Sequence, residues 1–274
     1  MSPSRRNRVR VALRPDGLAL VRLAKGWRPA VTHKQTVFCD GAQGAEKWSG
    51  AIGCLAEVLS QEPWRGTDVT VVLSSHFVHY ALIPGSLEFK SKREELTYGK
   101  YLLSKLEDGG PEHWELRIGA AKPGRGRVVS AVEKGLLGAL DEEVKKAGCR
   151  LSSVCPYLMT AFNPRRKLAG KEPSWFVALE EDCCVLGRWG EGQWLDVKNR
   201  RLSGDVEDEL PRLLAQERLM AADMSLPDKV LVFSPHRPGL KPRLPQSWQV
   251  TVLSTAPLPG FSPHADGGVA WAME

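Results

Sequence analysis

Residues 127–162 read RVVSAVEKGLLGALDEEVKKAGCRLSSVCPYLMTAF, and this segment decides the fold. The β-branched run at its start predicts a strand, because such side chains fit a pleated, half-buried surface. A helix over about 134–147 follows, with an inward face of Leu136, Leu137, Leu140 and Val144. Ala147-Gly148 ends this helix, since glycine readily adopts the left-handed conformation found after helices. The strand LSSVCP and a short helix closed by Pro164 complete an order typical of an α/β protein.

The chain before this segment continues the same alternation. Residues 8–38 predict three strands, with a turn at Pro15-Asp16-Gly17 and a second reversal at Lys25-Gly26. A helix is expected over 46–61, where apolar residues recur on one face. Residues 69–84 predict two strands bent near Ser74-Ser75. A helix over 92–107 and a strand pair around 114–132 follow.

The chain after this segment repeats the pattern. The basic, Pro/Gly-punctuated stretch 164–173 is the best candidate domain boundary. Strands in hairpin over 175–197, a helix over 205–224 and two more strands follow it. We assign Gly187, Gly190 and Gly192 to hairpin turn geometry. We therefore predict a first lobe over 8–163 with an inserted αβ subdomain, a smaller second lobe over 174–254 and an irregular tail over 255–274. The shared order indicates two related lobes.

Charge is concentrated at the start of the chain. The first 40 residues hold nine of the 38 Lys and Arg residues and two of the 32 Asp and Glu residues. The remainder is close to neutral, which argues against nucleic acid as a partner. Composition excludes a disordered chain, and no apolar run reaches the ~18 residues that a membrane span needs. We expect a cytoplasmic protein, and the six cysteines, which form no CxxC pair, are interpreted as buried free thiols.

Motifs for catalysis are weak. No glycine-rich phosphate loop lies between a strand and a helix, and no nucleophile elbow surrounds Ser74-Ser75-His76. The run Glu180-Glu181-Asp182 is able to hold a divalent cation, but a solvated strand edge is the favoured interpretation. We therefore predict no catalytic residue, no metal site and no enzymatic activity.

Several sequence segments resemble those of the PilM-type actin-like proteins of type IV pilus assembly. They also resemble the related cytoplasmic domain of the type II secretion L protein. The similarity is densest over residues 71–162, in VVLSSHFVHYALIPGS, WELRIGAA and the segment quoted above. The resemblance implies a two-lobed, actin-like ATPase fold of the ribonuclease-H type. We expect a degenerate version of this fold with a reduced second lobe.

In that family ATP binds between the two lobes. Its site uses an Asp and glycines of the first hairpin, a similar turn of the second lobe, and a later Gly-Gly turn near the adenosine. The sequence departs from the family at all three places. Ala12 or Arg14 stands where the strand-borne Asp would fall, and VALEEDCCVLGRW lacks a glycine between its acids and the following strand. Ser234-Pro235 stands where the family has small glycines. If a nucleotide site is retained, the residues that the resemblance assigns to it are Asp16, Gly17, Glu181, Asp182 and Gly239.

The sequence-based hypothesis is a non-catalytic scaffold that binds no cofactor. The resemblance implies that it docks the cytoplasmic tail of an inner-membrane pilus or secretion assembly protein, near residues 70–160, with recruitment to the inner-membrane face. A homodimer is left open. The alternative is an ATP-binding ATPase or nucleotide sensor, in which Asp16, Glu181 and Asp182 face magnesium. A third, weaker hypothesis is nucleic-acid binding through the basic arm and Arg125-Gly126-Arg127.

Overall fold

The computed structural model describes residues 7–24, 30–39, 46–105, 111–220, 227–237, 239–255, 258–262 and 266. The chain divides into two compact units. Unit 1 comprises Met1–Val78, Val132–Thr160 and Thr255–Glu274, and unit 2 comprises His79–Ala131 and Ala161–Ser254. Within the basic first 40 residues, 1–6, 25–29 and 40 lie outside the described residues, and the predicted reversal at Lys25-Gly26 is among them.

The helices and strands follow the sequence closely. The strands are β1 Arg8–Arg14, β2 Gly17–Leu23, β3 Val31–Phe38, β4 Asp68–Leu73, β5 His79–Ile83, β6 Trp114–Ile118, β7 Arg127–Glu133, β8 Arg150–Pro156, β9 Ser174–Leu179, β10 Cys183–Gly190, β11 Gln193–Arg201, β12 Lys229–Phe233 and β13 Gln249–Leu253. The helices are α1 Ser49–Leu59, α2 Lys92–Ser104, α3 Lys134–Lys146, α4 Tyr157–Phe162, α5 Arg166–Ala169 and α6 Val206–Met220. The predicted elements are confirmed within the described residues. Residues 106–107 of the span predicted for α2 and residues 221–224 of the span predicted for α6 lie outside them.

Unit 1 is built on a five-stranded sheet in the order β3-β2-β1-β4-β8. β1, β2 and β3 form an antiparallel meander, and β4 and β8 continue the sheet parallel to β1. The apolar faces of α1 and α3, with Leu55 and Leu140 fully buried, contribute to the core of this unit. The indole Nε1 of Trp48, before α1, donates to Glu133 Oε2 at 2.8 Å, so the start of α3 is held to the start of α1.

The outer edge of this sheet is partly covered by the chain after β13. The N–H of Val31 on β3 donates to the Pro259 carbonyl at 2.8 Å, and Lys34 Nζ lies 2.7 Å from Asp266 Oδ1. Phe261 is buried. Gly260 has φ +81°, and a Cβ built on it would overlap the Val31 carbonyl oxygen, so a side chain there would be both strained and obstructed. The described residues of the predicted tail lie outside helices and strands.

Unit 2 contains a second five-stranded sheet with the order β11-β10-β9-β12-β13. It has the same plan, an antiparallel meander followed by two parallel strands. Helix α6 packs on it through Val206, Leu210 and Leu214. The common plan explains why the sequence pattern repeats.

Gly187 corrects one sequence interpretation. It lies inside β10 rather than in a turn, and the indole ring of Trp194 on β11 occupies the space where a Cβ would lie. The turn between these strands is made by Glu191 and Gly192, both with positive φ, so Gly192 has the predicted turn role. Gly190 is the last residue of β10.

A smaller sheet in unit 2 has the order β5-β7-β6 and is covered by α2. Gly99 of α2 lets the helix approach Val129 and Leu116, since its Cβ would lie 3.5 to 3.6 Å from those side chains. This layer forms its own apolar cluster. Among the described residues, no helix is long and apolar enough to cross a membrane.

Candidate functional site

The first predicted phosphate turn is the Pro15-Asp16 connection between β1 and β2. Arg14 Nε lies 3.1 Å from Asp16 Oδ1, and the Asp16 carbonyl accepts a hydrogen bond from Cys39 N–H at 2.9 Å. Ala12, which faces the core, is fully buried. The turn therefore offers a carboxylate already paired with a guanidinium, and Pro15 removes one backbone donor.

Gly17 has a structural reason to be glycine. An added Cβ would lie 2.6 Å from the carbonyl oxygen of Val37 on β3. Such a contact is far shorter than packed atoms allow, so a side chain here would push β2 and β3 apart. The close pairing of the two strands accounts for this glycine without a ligand.

The second predicted turn joins β9 to β10 and consists of Glu180, Glu181 and Asp182. The N–H of Glu180 donates to the Cys183 carbonyl at 2.8 Å, and the Asp182 carbonyl accepts from Leu202 N–H at 2.7 Å. Glu180 is buried, whereas Glu181 and Asp182 are exposed. This turn is a cluster of carboxylates without a glycine.

Cys183 and Cys184, which follow this turn, have raised thiol pKa values. Burial, and then the charges of Glu180 and Asp182, raise the pKa of the Cys183 thiol well above its usual value. Burial likewise raises the pKa of Cys184 to about 12. Both cysteines are free, as are the other four. A raised thiol pKa lowers the fraction of thiolate, which is the form that acts as a nucleophile.

The third predicted loop follows β12. Ser234 is buried, and its carbonyl accepts from Arg237 N–H at 3.1 Å. Gly239 is exposed, and no described atom outside its chain neighbours lies within 4 Å of a Cβ built on it. Local packing thus does not require this glycine, and Pro238 lies outside the described residues.

The five predicted site residues lie in different parts of the structure. Asp16 and Gly17 share a turn of unit 1. In unit 2, Glu181 and Asp182 share one turn and Gly239 lies in a separate loop. Their role in nucleotide binding stays a prediction.

The other candidate motifs have local partners. Ser74 Oγ and His76 Nδ1 are 2.9 Å apart in the turn after β4, so the two side chains stabilise that turn. Arg125 pairs with Glu191 at 3.0 Å and Arg127 with Glu95 at 2.8 Å. The two arginines considered for nucleic-acid binding thus have acidic partners within unit 2.

One surface was missed at the sequence level. A groove of about 480 Å³ lies along α2 and the loop before it, and its aromatic lining is Phe89, Tyr98 and Tyr101. Tyr98 and Tyr101 are three residues apart, a spacing that places side chains on one helical face and that was available as a signal. The placement of Phe89 beside them depends on the path of the preceding loop.

Comparison with known proteins identifies the fold. No family model and no curated protein sequence matches the chain. The cytoplasmic domain of EpsL, an inner-membrane component of the Vibrio cholerae type II secretion system, is similar in structure with a TM-score of 0.63 at 12% identity. That match covers 97% of this chain and 92% of the EpsL chain.

Two further structures are similar. The PilM–PilN type IV pilus biogenesis complex matches with a TM-score of 0.59 and 13% identity, over 82% of this chain and 80% of that chain. A Bacteroides thetaiotaomicron protein with an actin-like ATPase fold and unknown function gives 0.55 and 12%, over 84% and 82%. The protein therefore has the actin-like ATPase fold. The family resemblance seen in the sequence is confirmed at the level of the fold.

Proposed function

We propose that the chain is a non-catalytic cytoplasmic scaffold of a type IV pilus or type II secretion-like assembly. It docks the cytoplasmic tail of an inner-membrane partner and is recruited to the inner-membrane face. The observation that carries the proposal is the combination of this fold with three altered phosphate turns. EpsL belongs to a secretion system and PilM occurs in a complex with PilN, and both share the fold.

The chemistry of the turns supports a scaffold over an ATPase. Phosphates bind where several backbone N–H groups converge without obstruction. Here Pro15 removes a donor, Arg14 pairs with Asp16, and the Glu180 N–H already donates to the Cys183 carbonyl. Three acidic residues in the second turn repel phosphate unless a cation intervenes.

The alternative, an ATP-binding ATPase or nucleotide sensor, is tested by heating the protein with Mg-ATP. We expect no rise in the melting temperature at about 5 mM nucleotide. A site with a dissociation constant near 50 μM would add about 2.7 kcal/mol at that concentration. For a protein of this size the rise would be about 5 to 10 °C.

A rise of that size which disappears in the Asp182→Ala variant would contradict the scaffold proposal and assign the nucleotide to the second turn. Magnesium without nucleotide is the control, because the exposed carboxylates of Glu181 and Asp182 are able to collect the cation weakly on their own.

The docking role is tested by calorimetry. The probes are synthetic peptides of the cytoplasmic N-terminal segments of single-span membrane proteins encoded beside this chain. We expect saturable binding of one of them, with scrambled peptides of the same composition as controls. An absence of heat for every such peptide at high concentration would remove the main support for the scaffold.

A further inference from the structure

Strand β3 lies at the outer edge of the first sheet and presents two different rows of side chains. In one row, Gln35 Oε1 accepts from Trp64 Nε1 at 2.9 Å, so this row packs against unit 1. Because side chains alternate along a strand, Lys34, Thr36 and Phe38 form the other row. All three are exposed, and Phe38 is 77% exposed. We call these three residues the outer row.

The outer row also turns its backbone groups away from the sheet. The N–H of Cys39 donates to the Asp16 carbonyl at 2.9 Å, so the backbone of residue 39 faces β2. In an antiparallel ladder, residues that bond to the neighbouring strand alternate with residues that do not. Counting back from residue 39, residues 37 and 35 bond to β2, and the backbone groups of the outer row point outward. Within the described parts of the chain, none of these outward N–H groups has a backbone acceptor.

One end of this edge is already occupied. The N–H of Val31 donates to the Pro259 carbonyl at 2.8 Å, and Lys34 Nζ lies 2.7 Å from Asp266 Oδ1. The stretch that remains for pairing is therefore Lys34–Phe38, a length typical of one strand. β3 contains no acidic residue, and the charge of Lys34 is balanced by Asp266. Charge therefore does not oppose the approach of an identical edge.

The outer row is complementary to itself. When two copies pair antiparallel about Thr36, each Thr36 lies opposite its equivalent, and Lys34 of one copy lies opposite Phe38 of the other. Thr–Thr pairs stabilise antiparallel sheets, and the apolar stem of a lysine is able to cover an aromatic ring. Each of these pairs exchanges two backbone hydrogen bonds, which gives about six for the interface. The contact is two-fold symmetric and therefore closes on a dimer.

We infer that β3 is a homodimer interface, in which residues 34–38 of two copies pair antiparallel about Thr36 and join their five-stranded sheets into one. The inference goes beyond the proposed function, since its partner is a second copy of this chain. It holds whether or not the chain docks the tail of a membrane protein.

The first test is sedimentation velocity on the full chain between about 5 and 500 μM. We expect a reversible dimer with a dissociation constant of tens to hundreds of micromolar, because one short strand pair is smaller than a standard protein interface. A monomer at every concentration would overturn the inference and would leave the edge to a strand of a different protein.

A charge placed on the outer row tests the pairing. Phe38→Lys removes the ring contact and sets a cation opposite Lys34 of the second copy, and like charges directly opposite each other destabilise a sheet. The change occurs twice in each dimer, so the dissociation constant should rise at least about tenfold. The matched control is Leu219→Lys, which changes an exposed apolar residue of α6 and should leave the dimer unchanged. Circular dichroism checks that both variants fold, and native dimerisation of folded Phe38→Lys would overturn the inference.

A cysteine at the two-fold axis tests the register. Opposite residues of a hydrogen-bonded pair have Cα atoms about 5.5 Å apart, which a disulfide is able to bridge. Thr36→Cys should therefore form a disulfide-linked dimer under mild oxidation. Thr32→Cys is the matched control, because its two copies would be separated by about 25 Å and should not be linked. The unsubstituted chain, with its six free cysteines, gives the background. Equal linking of the two variants, or none in Thr36→Cys, would contradict pairing about Thr36.

Discussion

Gly187→Ala lowers the free energy of unfolding by about 2 to 3 kcal/mol, the scale of overpacking a well-filled core. A Cβ at residue 187 would approach Trp194 Cε3 to 2.9 Å and the adjoining ring carbon more closely still. The indole cannot retreat easily, because its ring lies 4.3 Å from that of Phe162 and 5.4 Å from that of Trp189. The added methyl group therefore forces strand β10 or the aromatic cluster to shift.

The measurement is urea denaturation followed by tryptophan fluorescence. Gly53→Ala is the matched control, because Gly53 is exposed inside α1 and no described atom beyond the local backbone lies within 4 Å of its Cβ. Alanine is favoured over glycine in a helix by about 0.8 to 1.0 kcal/mol, so this variant should be more stable than the native chain. An unchanged unfolding midpoint for Gly187→Ala would show that the ring moves freely.

Glu217→Ala lowers the free energy of unfolding by about 2 kcal/mol. Glu217 lies in α6 and is 2% exposed, and its carboxylate accepts from Lys198 Nζ at 2.6 Å and from the guanidinium of Arg200. Removing one member of a buried ion pair lowers the free energy of unfolding by about 3 to 5 kcal/mol when the other charge stays buried without a partner. Lys198 and Arg200 are each about a third exposed, so water relieves part of that cost.

Glu142→Gln is the matched control for charge loss. Glu142 pairs with Lys146 at 2.8 Å on the exposed face of α3, and exposed pairs contribute at most about 1 kcal/mol. Chemical denaturation of both variants should show a much larger loss for Glu217. Equal losses of unfolding free energy in the two variants would mean that the buried ion pairs of Glu217 stabilise the protein no more than an exposed pair does.

The carboxyl of Glu217 should also make the free energy of unfolding depend on pH. Burial opposes ionisation of Glu217, but the hydrogen bonds from Lys198 and Arg200 outweigh it and lower the pKa of the carboxyl below its ordinary value of 4.5. A carboxyl with a lowered pKa in the folded state stabilises the protein above its unfolded pKa, and this stabilisation is lost as pH falls. The stability gap between the native chain and Glu217→Gln should therefore narrow below about pH 4.5. A gap that stays constant on acidification would contradict this assignment.

Local signals were sufficient to predict the elements of the fold. Helix α3 was expected over 134–147 and is observed over Lys134–Lys146, because its apolar face and the terminal Ala147-Gly148 are both encoded within the segment. The break after β4 was likewise expected at Ser74-Ser75. The actin-like fold came from the order of elements and the family resemblance, not from any single motif.

Features that depend on distant partners were not predictable in the same way. Glu217 reads as one more polar residue of an amphipathic helix, and only the register of β11 brings Lys198 and Arg200 to it. Gly187 was assigned to a turn because the sequence does not reveal which strand residue lies under Trp194. The aromatic groove required Phe89 to approach Tyr98 through the loop before α2.

The segment that follows β13 also has a bearing on the solubility of the chain. An outer strand with free backbone groups is a template for pairing with another chain, and proteins blunt such edges with charges or covering segments. β3 has both a charge and a covering segment. Its first N–H, that of Val31, donates to the Pro259 carbonyl, and Lys34 forms an ion pair with Asp266 of the covering segment. The contacts of Pro259 and Asp266 thus protect the first sheet from edge-to-edge aggregation at the Val31 end of β3.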